Sequence, residues 1–166
     1  MATLTIERGT GLEDANSYIT AHDLESFLED RGLTVTGESC ALIMQAMDII
    51  EQQKYNGTKS TTTQALSFPR AKLRDKEGLV VESDAIPQGV INGTLWLCYY
   101  IDINADFSAL VGPAIKKKVI GQLTTEFAVG ETGYVRKNTI KDLPHVYAEL
   151  KSFLNTATSG GGTYRG

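Results

Sequence analysis

From Ile86 to Ile101 the chain carries apolar side chains on nearly every side of a helix, and this stretch limits the possible folds more than any other. Val90, Ile91, Leu95, Leu97, Cys98 and Ile101 recur at helical spacing, with Trp96, Tyr99 and Tyr100 beside them. A helix that is apolar on most sides lies inside a bundle or at a subunit contact. Ile86-Pro87 marks its start, because a proline in the first turn gives up only an N–H that has no helical partner. Gly93 in its middle costs about 0.5–1 kcal/mol relative to alanine, which points to a close helix approach there. Trp96, Tyr99 and Tyr100 could stack bases, yet at this spacing packing in a core or interface is the favoured reading.

Other helices follow from the same periodicity. From Glu38 to about Gln53, Ala41, Leu42, Ala46, Ile49 and Ile50 share a face that Ile43 and Met47 widen, while Gln45, Asp48, Gln52 and Gln53 stay out. So wide a stripe predicts other helices on both flanks. A shorter helix is expected after Thr20, where Thr20 and Asp23 make a weak capping box, Leu24, Phe27 and Leu28 form the stripe, and Gly32 stops it. A last helix is expected with Asp142 as N-cap, followed by Leu143-Pro144, with Val146, Tyr147, Leu150, Phe153 and Leu154 on one side.

Strand signals are weaker. Leu4 and Ile6 alternate with polar residues until Gly9 and Gly11 break the pattern, and Asn16 and Ser17 offer local side-chain caps. Leu123, Thr125, Phe127 and Val129 alternate like a half-exposed strand. The predicted fold class is therefore mainly α: a small bundle of about four helices, with a short β-strand or hairpin element near residues 115–129. One domain is expected over 1–155 and a flexible, glycine-rich tail over 156–166.

A chain of 166 residues, 42% of them hydrophobic, suits one domain with a real core. The net charge of -4 and the pI near 5.2 lower the expectation of autonomous DNA binding, because phosphate neutralisation by basic residues supplies most such affinity. No apolar run approaches the roughly 20 residues that span a bilayer, and the first residues do not read as a signal peptide, so no membrane is expected. Cys40 and Cys98 lack metal spacing and read as buried thiols. His22 and His145 read as surface histidines, and Asp48 and Glu51 as charges on a solvated helix face. Gly160-Gly161-Gly162 has neither the strand nor the Lys-Ser/Thr of a phosphate loop. No catalytic set, metal or cofactor is expected.

Within Gln64-Ala65-Leu66-Ser67-Phe68-Pro69-Arg70, Ala65 to Arg70 reads as an extended segment pinned to the core by Leu66 and Phe68, since Pro69 disfavours helix before it. Two basic patches stand out: Arg70, Lys72 and Arg74 in one loop, and Lys116, Lys117 and Lys118 in another. On a monomer each reads as a solvated face; in a ring each would be repeated, and weak phosphate contacts would multiply without reading sequence.

Glu13-Asp14-Ala15-Asn16-Ser17-Tyr18-Ile19-Thr20 leads into the first helix, Ala41 to Gly57 ends the second, and then come residues 64–70, the Ile86–Ile101 helix and Pro144 to Leu154. This order resembles a tailed-bacteriophage family, from about residue 12 to 154. Its members carry the label of DnaT-like single-stranded-DNA-binding proteins and are similar to small helical head-to-tail connector adaptors, the head completion proteins. Many relatives have Trp where Phe68 stands, and the glycine-rich end from Ser159 has no counterpart in the pattern. The resemblance implies a structural virion protein, made in the host bacterial cytoplasm and placed at the head–tail interface. It implies a homo-oligomeric ring, usually of twelve copies, beneath the portal protein, extending the DNA channel and retaining packaged double-stranded DNA non-specifically. Such a ring offers a platform to tail or stopper proteins. Arg70, Lys72, Arg74 and Lys116 to Lys118 would face the channel, and Tyr164 and Arg165 would anchor the tail on the portal. The alternative is a single-stranded-DNA-binding module of phage replication, against which the acidic pI and the scarcity of aromatics beside basic residues both weigh.

Overall fold

Thr20 and Asp23 start the first helix as their spacing requires. In the computed structural model, which describes residues 3–103, 117–120, 123–126 and 140–155, α1 spans Ala21–Glu29. The Thr20 hydroxyl accepts the Asp23 N–H at 3.0 Å, and the Asp23 carboxylate accepts the Thr20 N–H at 2.7 Å. Leu24, Phe27 and Leu28 are buried. Beyond the helix Gly32 takes φ 61, which lets the Leu33 N–H turn back onto the Leu28 carbonyl at 2.9 Å.

α2 covers Ser39–Glu51, capped by the Glu38 carboxylate, which accepts the Ala41 N–H at 2.7 Å. Its buried face is Leu42, Ile43, Ala46, Met47 and Ile50. Ala41, expected on that face, is exposed, and Ile49 is only half-buried. The face is rotated toward Ile43 and Met47 because α2 packs against two neighbours, α1 and α3. α3, Gln88–Ile103, is the central helix and touches the other three. It buries Val90, Gly93, Thr94, Leu95, Leu97, Cys98 and Ile101. A Cβ on Gly93 would lie 2.9 Å from Cγ of Leu150 in α4 (Pro144–Leu150), so the glycine is what lets these two helices meet. Cys98 is buried, and burial pushes its thiol up to about 12; Cys40, read as buried, is only half so.

The last helix starts differently from the expectation. Leu143 is the N-cap, with no side-chain cap bond, and Asp142 instead closes a 3-10 turn over Ile140–Asp142. Pro144 fixes the start, since it fits the first turn without needing a capped N–H. The helix ends by Lys151, and the buried Phe153 and Leu154 belong to the turn after it.

The described residues also form three short antiparallel ladders: β1 (Thr58–Lys59) with β2 (Arg70–Ala71), β3 (Leu73–Arg74) with β4 (Val80–Val81), and β5 (Lys117–Ile120) with β6 (Leu123–Glu126). The fold is thus mainly α with a β hairpin where the alternation placed one; Phe127 and Val129 of that expectation lie outside the described residues. The ladders between residues 58 and 81 escaped prediction because two-residue strands have no period to read. The expected strand at Leu4 and Ile6 is a single parallel bridge from Ile6 to Ser17. Asn16 stitches it: its side-chain oxygen accepts the Thr5 N–H at 2.8 Å and its amide donates to the Thr3 carbonyl at 2.9 Å. Next to this bridge the buried Glu7 carboxylate accepts the N–H groups of Gly9, Gly11 and Leu12 at 2.6–3.0 Å. Burial alone would raise its pKa, but these backbone donors outweigh it and hold the carboxyl below its ordinary value.

Candidate nucleic-acid interface

The two most distinctive sequence segments meet inside the protein. Tyr18, from the segment before α1, donates its hydroxyl to Oε1 of Glu51 at 2.5 Å and accepts the Phe68 N–H at 3.0 Å. The other Glu51 oxygen accepts the Ser67 N–H at 2.7 Å. Glu51 therefore does not sit on a solvated face, as its spacing from Asp48 implied; Asp48 does. Burial, together with the Glu51 charge, raises the Tyr18 pKa, so the hydroxyl stays a donor. Phe68 is fully buried, its ring meeting Tyr18, Tyr55 and Phe153 edge-on at 6.0, 4.8 and 6.4 Å. Leu66 is buried beside it, the Phe68–Pro69 peptide is cis, and the Gln64 amide donates to the carbonyls of Leu66 and Pro69. Both segments are scaffold.

Arg70 belongs to that scaffold too. Its guanidinium donates to the carbonyls of Asn56 (2.7 Å), Gly57 (2.8 Å), Ser67 (3.2 Å) and Tyr55 (3.3 Å). All three of its nitrogens donate to the chain's own backbone, so it braces this loop against the turn after α2. Lys72, with φ 61, and Arg74 are exposed on the hairpin next to it, and Nη1 of Arg74 donates to the Gly78 carbonyl at 2.7 Å. Lys117 and Lys118 open β5, where they register with Glu126 and Thr125. Lys116, Tyr164 and Arg165 lie outside the described residues.

A different surface gathers aromatic rings and a cation from several elements. Trp96, Tyr99 and Tyr100 stand at i, i+3 and i+4 on α3, so they form one stripe beside the buried Leu97, Cys98 and Ile101. The floor is Phe27 of α1, whose ring meets Trp96 edge-on at 5.2 Å. From α4, the exposed His145 lies flat on Trp96, centroids 4.3 Å apart and planes 16° from parallel. Tyr100 is 6.3 Å from His145 at 24°. Arg31, just past α1, holds its guanidinium 3.8 Å from the Phe27 ring centre and 5.7 Å from that of Trp96. The result is a half-exposed aromatic face bordered by a cation, drawn from three helices. Burial and the neighbouring Tyr99 raise the Tyr100 pKa, so its hydroxyl is neutral and can donate.

Periodicity alone picked out the three α3 aromatics as packing residues. It missed that His145 stacks on Trp96 and that Arg31 lies over Phe27 beside Trp96; the one signal available was Arg31 four residues after Phe27, one helical turn on. Among the described residues no group of three or more side chains could hold a metal ion, and no helix is long and apolar enough to cross a membrane.

No curated protein and no solved structure matches the chain. A family model matches residues 2–165, so the protein belongs to the family described as "Putative DnaT-like ssDNA binding protein".

Proposed function

We propose that this protein is a non-catalytic single-stranded-DNA-binding module that stacks bases on the face formed by Trp96, Tyr99, Tyr100 and His145. The observation that carries the reading is the Trp96–His145 stack with Arg31 beside it at the surface. Unpaired bases expose their faces, and stacking on an aromatic ring contributes about 1–3 kcal/mol per base whatever the sequence. The family's description points the same way. Arg31 supplies a cation for a phosphate or for a base face. With a net charge of -4, phosphate neutralisation contributes little, so stacking must carry most of the affinity. Affinity should then fall only gently with salt.

Trp96 is the one tryptophan in the chain, so its fluorescence reports this face directly. Titration with oligo(dT) at low salt should quench it. Arg31→Ala and His145→Ala should each weaken binding by about tenfold, the equivalent of one stacking or cation contact. Lys72→Glu with Arg74→Glu should leave it unchanged. Saturating oligonucleotide without any Trp96 response, or equal loss from the hairpin variant, would rule this reading out.

A second reading is the connector adaptor: a ring-forming virion protein at the head–tail interface that contacts the portal, tail or stopper proteins and packaged double-stranded DNA. What favours it, beside the order of the sequence segments, is apolar surface away from the aromatic face. Leu79 and Val80 are 62% and 69% exposed. An assembling subunit would cover such residues. Co-sedimentation with the cognate portal ring, without DNA, separates the two. Stoichiometric portal binding by a protein whose Trp96 ignores oligonucleotide would put this reading in place of the first.

A further inference from the structure

The β3–β4 hairpin forms a second surface with its own chemistry. Leu73 is buried and pairs with the half-buried Val81 on the inner side, so the next pair in register, Arg74 and Val80, faces outward. Around Leu79 and Val80 stand three exposed basic residues, Lys72, Arg74 and Lys76, and three exposed acidic ones, Glu77, Glu82 and Asp84. An open cleft of about 990 Å³ runs alongside, with apolar Val81, Ile86, Pro87 and Phe153 in its wall beside charged Glu149 and Lys151.

We propose that this hairpin is a self-association surface and that its occupant is the hairpin of a second copy of the chain. A two-fold contact sets a patch against itself, so the patch must complement itself. This one does. Its apolar centre can meet an apolar centre, with Leu79 of one copy entering the other's cleft, and its balanced charges let each copy's cations reach the other's carboxylates. Nucleic acid is a poor occupant, because three carboxylates lie among the cations. The proposal is independent of the aromatic face and of DNA binding, so either can fail alone.

The test is sedimentation velocity on the full chain over a wide concentration range, beside circular dichroism to verify folding. The wild-type chain is expected to sediment as a two-chain species at high concentration. Leu79→Asp with Val80→Asp should sediment as a folded monomer. Lys72→Glu with Lys76→Glu, and separately Glu82→Lys with Asp84→Lys, should each weaken self-association by about tenfold or more, since like charges then face each other. An equimolar mixture of these two charge variants should associate again. A wild-type chain that stays monomeric, association that survives the Leu79/Val80 change, or a mixture that does not recover would overturn the proposal. Trp96 quenching by oligo(dT) in the Leu79/Val80 variant should be unaltered, which keeps the two surfaces separate.

Discussion

Tyr18→Phe removes one oxygen atom and should cost more than its size implies. The aromatic ring stays and keeps its edge-on contact with Phe68. The hydroxyl that accepts the buried Phe68 N–H and donates to Glu51 is lost. A buried donor left without an acceptor costs about 1–3 kcal/mol, and a hydrogen bond to a charged group contributes about 1.5–3. The two terms share one network and Glu51 is only partly buried, so they do not add in full; a loss of about 2–4 kcal/mol is expected. With a urea m-value of about 2 kcal/mol/M, the unfolding midpoint should fall by about 1–2 M at unchanged slope. Asp48→Asn, three residues from Glu51 but exposed, should stay within about 0.5 kcal/mol of wild type. A Tyr18→Phe midpoint indistinguishable from that control would refute the claim that this hydroxyl joins the segment before α1 to the loop after α2.

Three further perturbations probe the other braces. Gly93→Ala would push a Cβ to 2.9 Å from Leu150, and should lower stability by about 1–3 kcal/mol in thermal unfolding, the usual cost of overpacking. Arg70→Ala should lower stability measurably while leaving oligonucleotide affinity untouched, because its donors face four backbone carbonyls; an affinity loss in a protein of unchanged stability would contradict this. For Glu7, the folded pKa is depressed, so its contribution is present above the unfolded value of about 4.3 and is lost as pH falls through the lower folded value. Glu7→Gln should therefore destabilise at neutral pH and flatten the acid limb of the stability profile, as read by urea midpoints across pH.

The helices were legible because their information is local. Thr20 and Asp23 close a capping box within one turn, and Gly93 marks a close approach that any helical partner would need. The phase of α2 was less so: Ile43 and Met47 lie at the centre of its face only because α1 and α3 cover it from two sides. Glu51 and Arg70 resisted prediction for a related reason. Each bonds to groups that the chain delivers from a distance, Glu51 to Tyr18 and Ser67, Arg70 to the turn at Tyr55 to Gly57. Composition marks both as surface charges, and only the fold shows them spent on backbone and hydroxyl groups. The aromatic face was half visible, since its α3 stripe has helical spacing while His145 arrives from another helix.

The last described residues have a mechanical consequence. Tyr55 and Leu154 form an antiparallel bridge, flanked by the Asn56 N–H on the Phe153 carbonyl and the Asn155 N–H on the Lys54 carbonyl, each at 2.8 Å. A pull applied beyond Asn155 therefore does not begin by peeling α4 from the bundle. It loads the backbone between α2 and β1 first, next to Arg70 and the ring of Phe68. Tension at Asn155 is thus carried to the middle of the chain, and this clasp must open before α4 is pulled from the bundle.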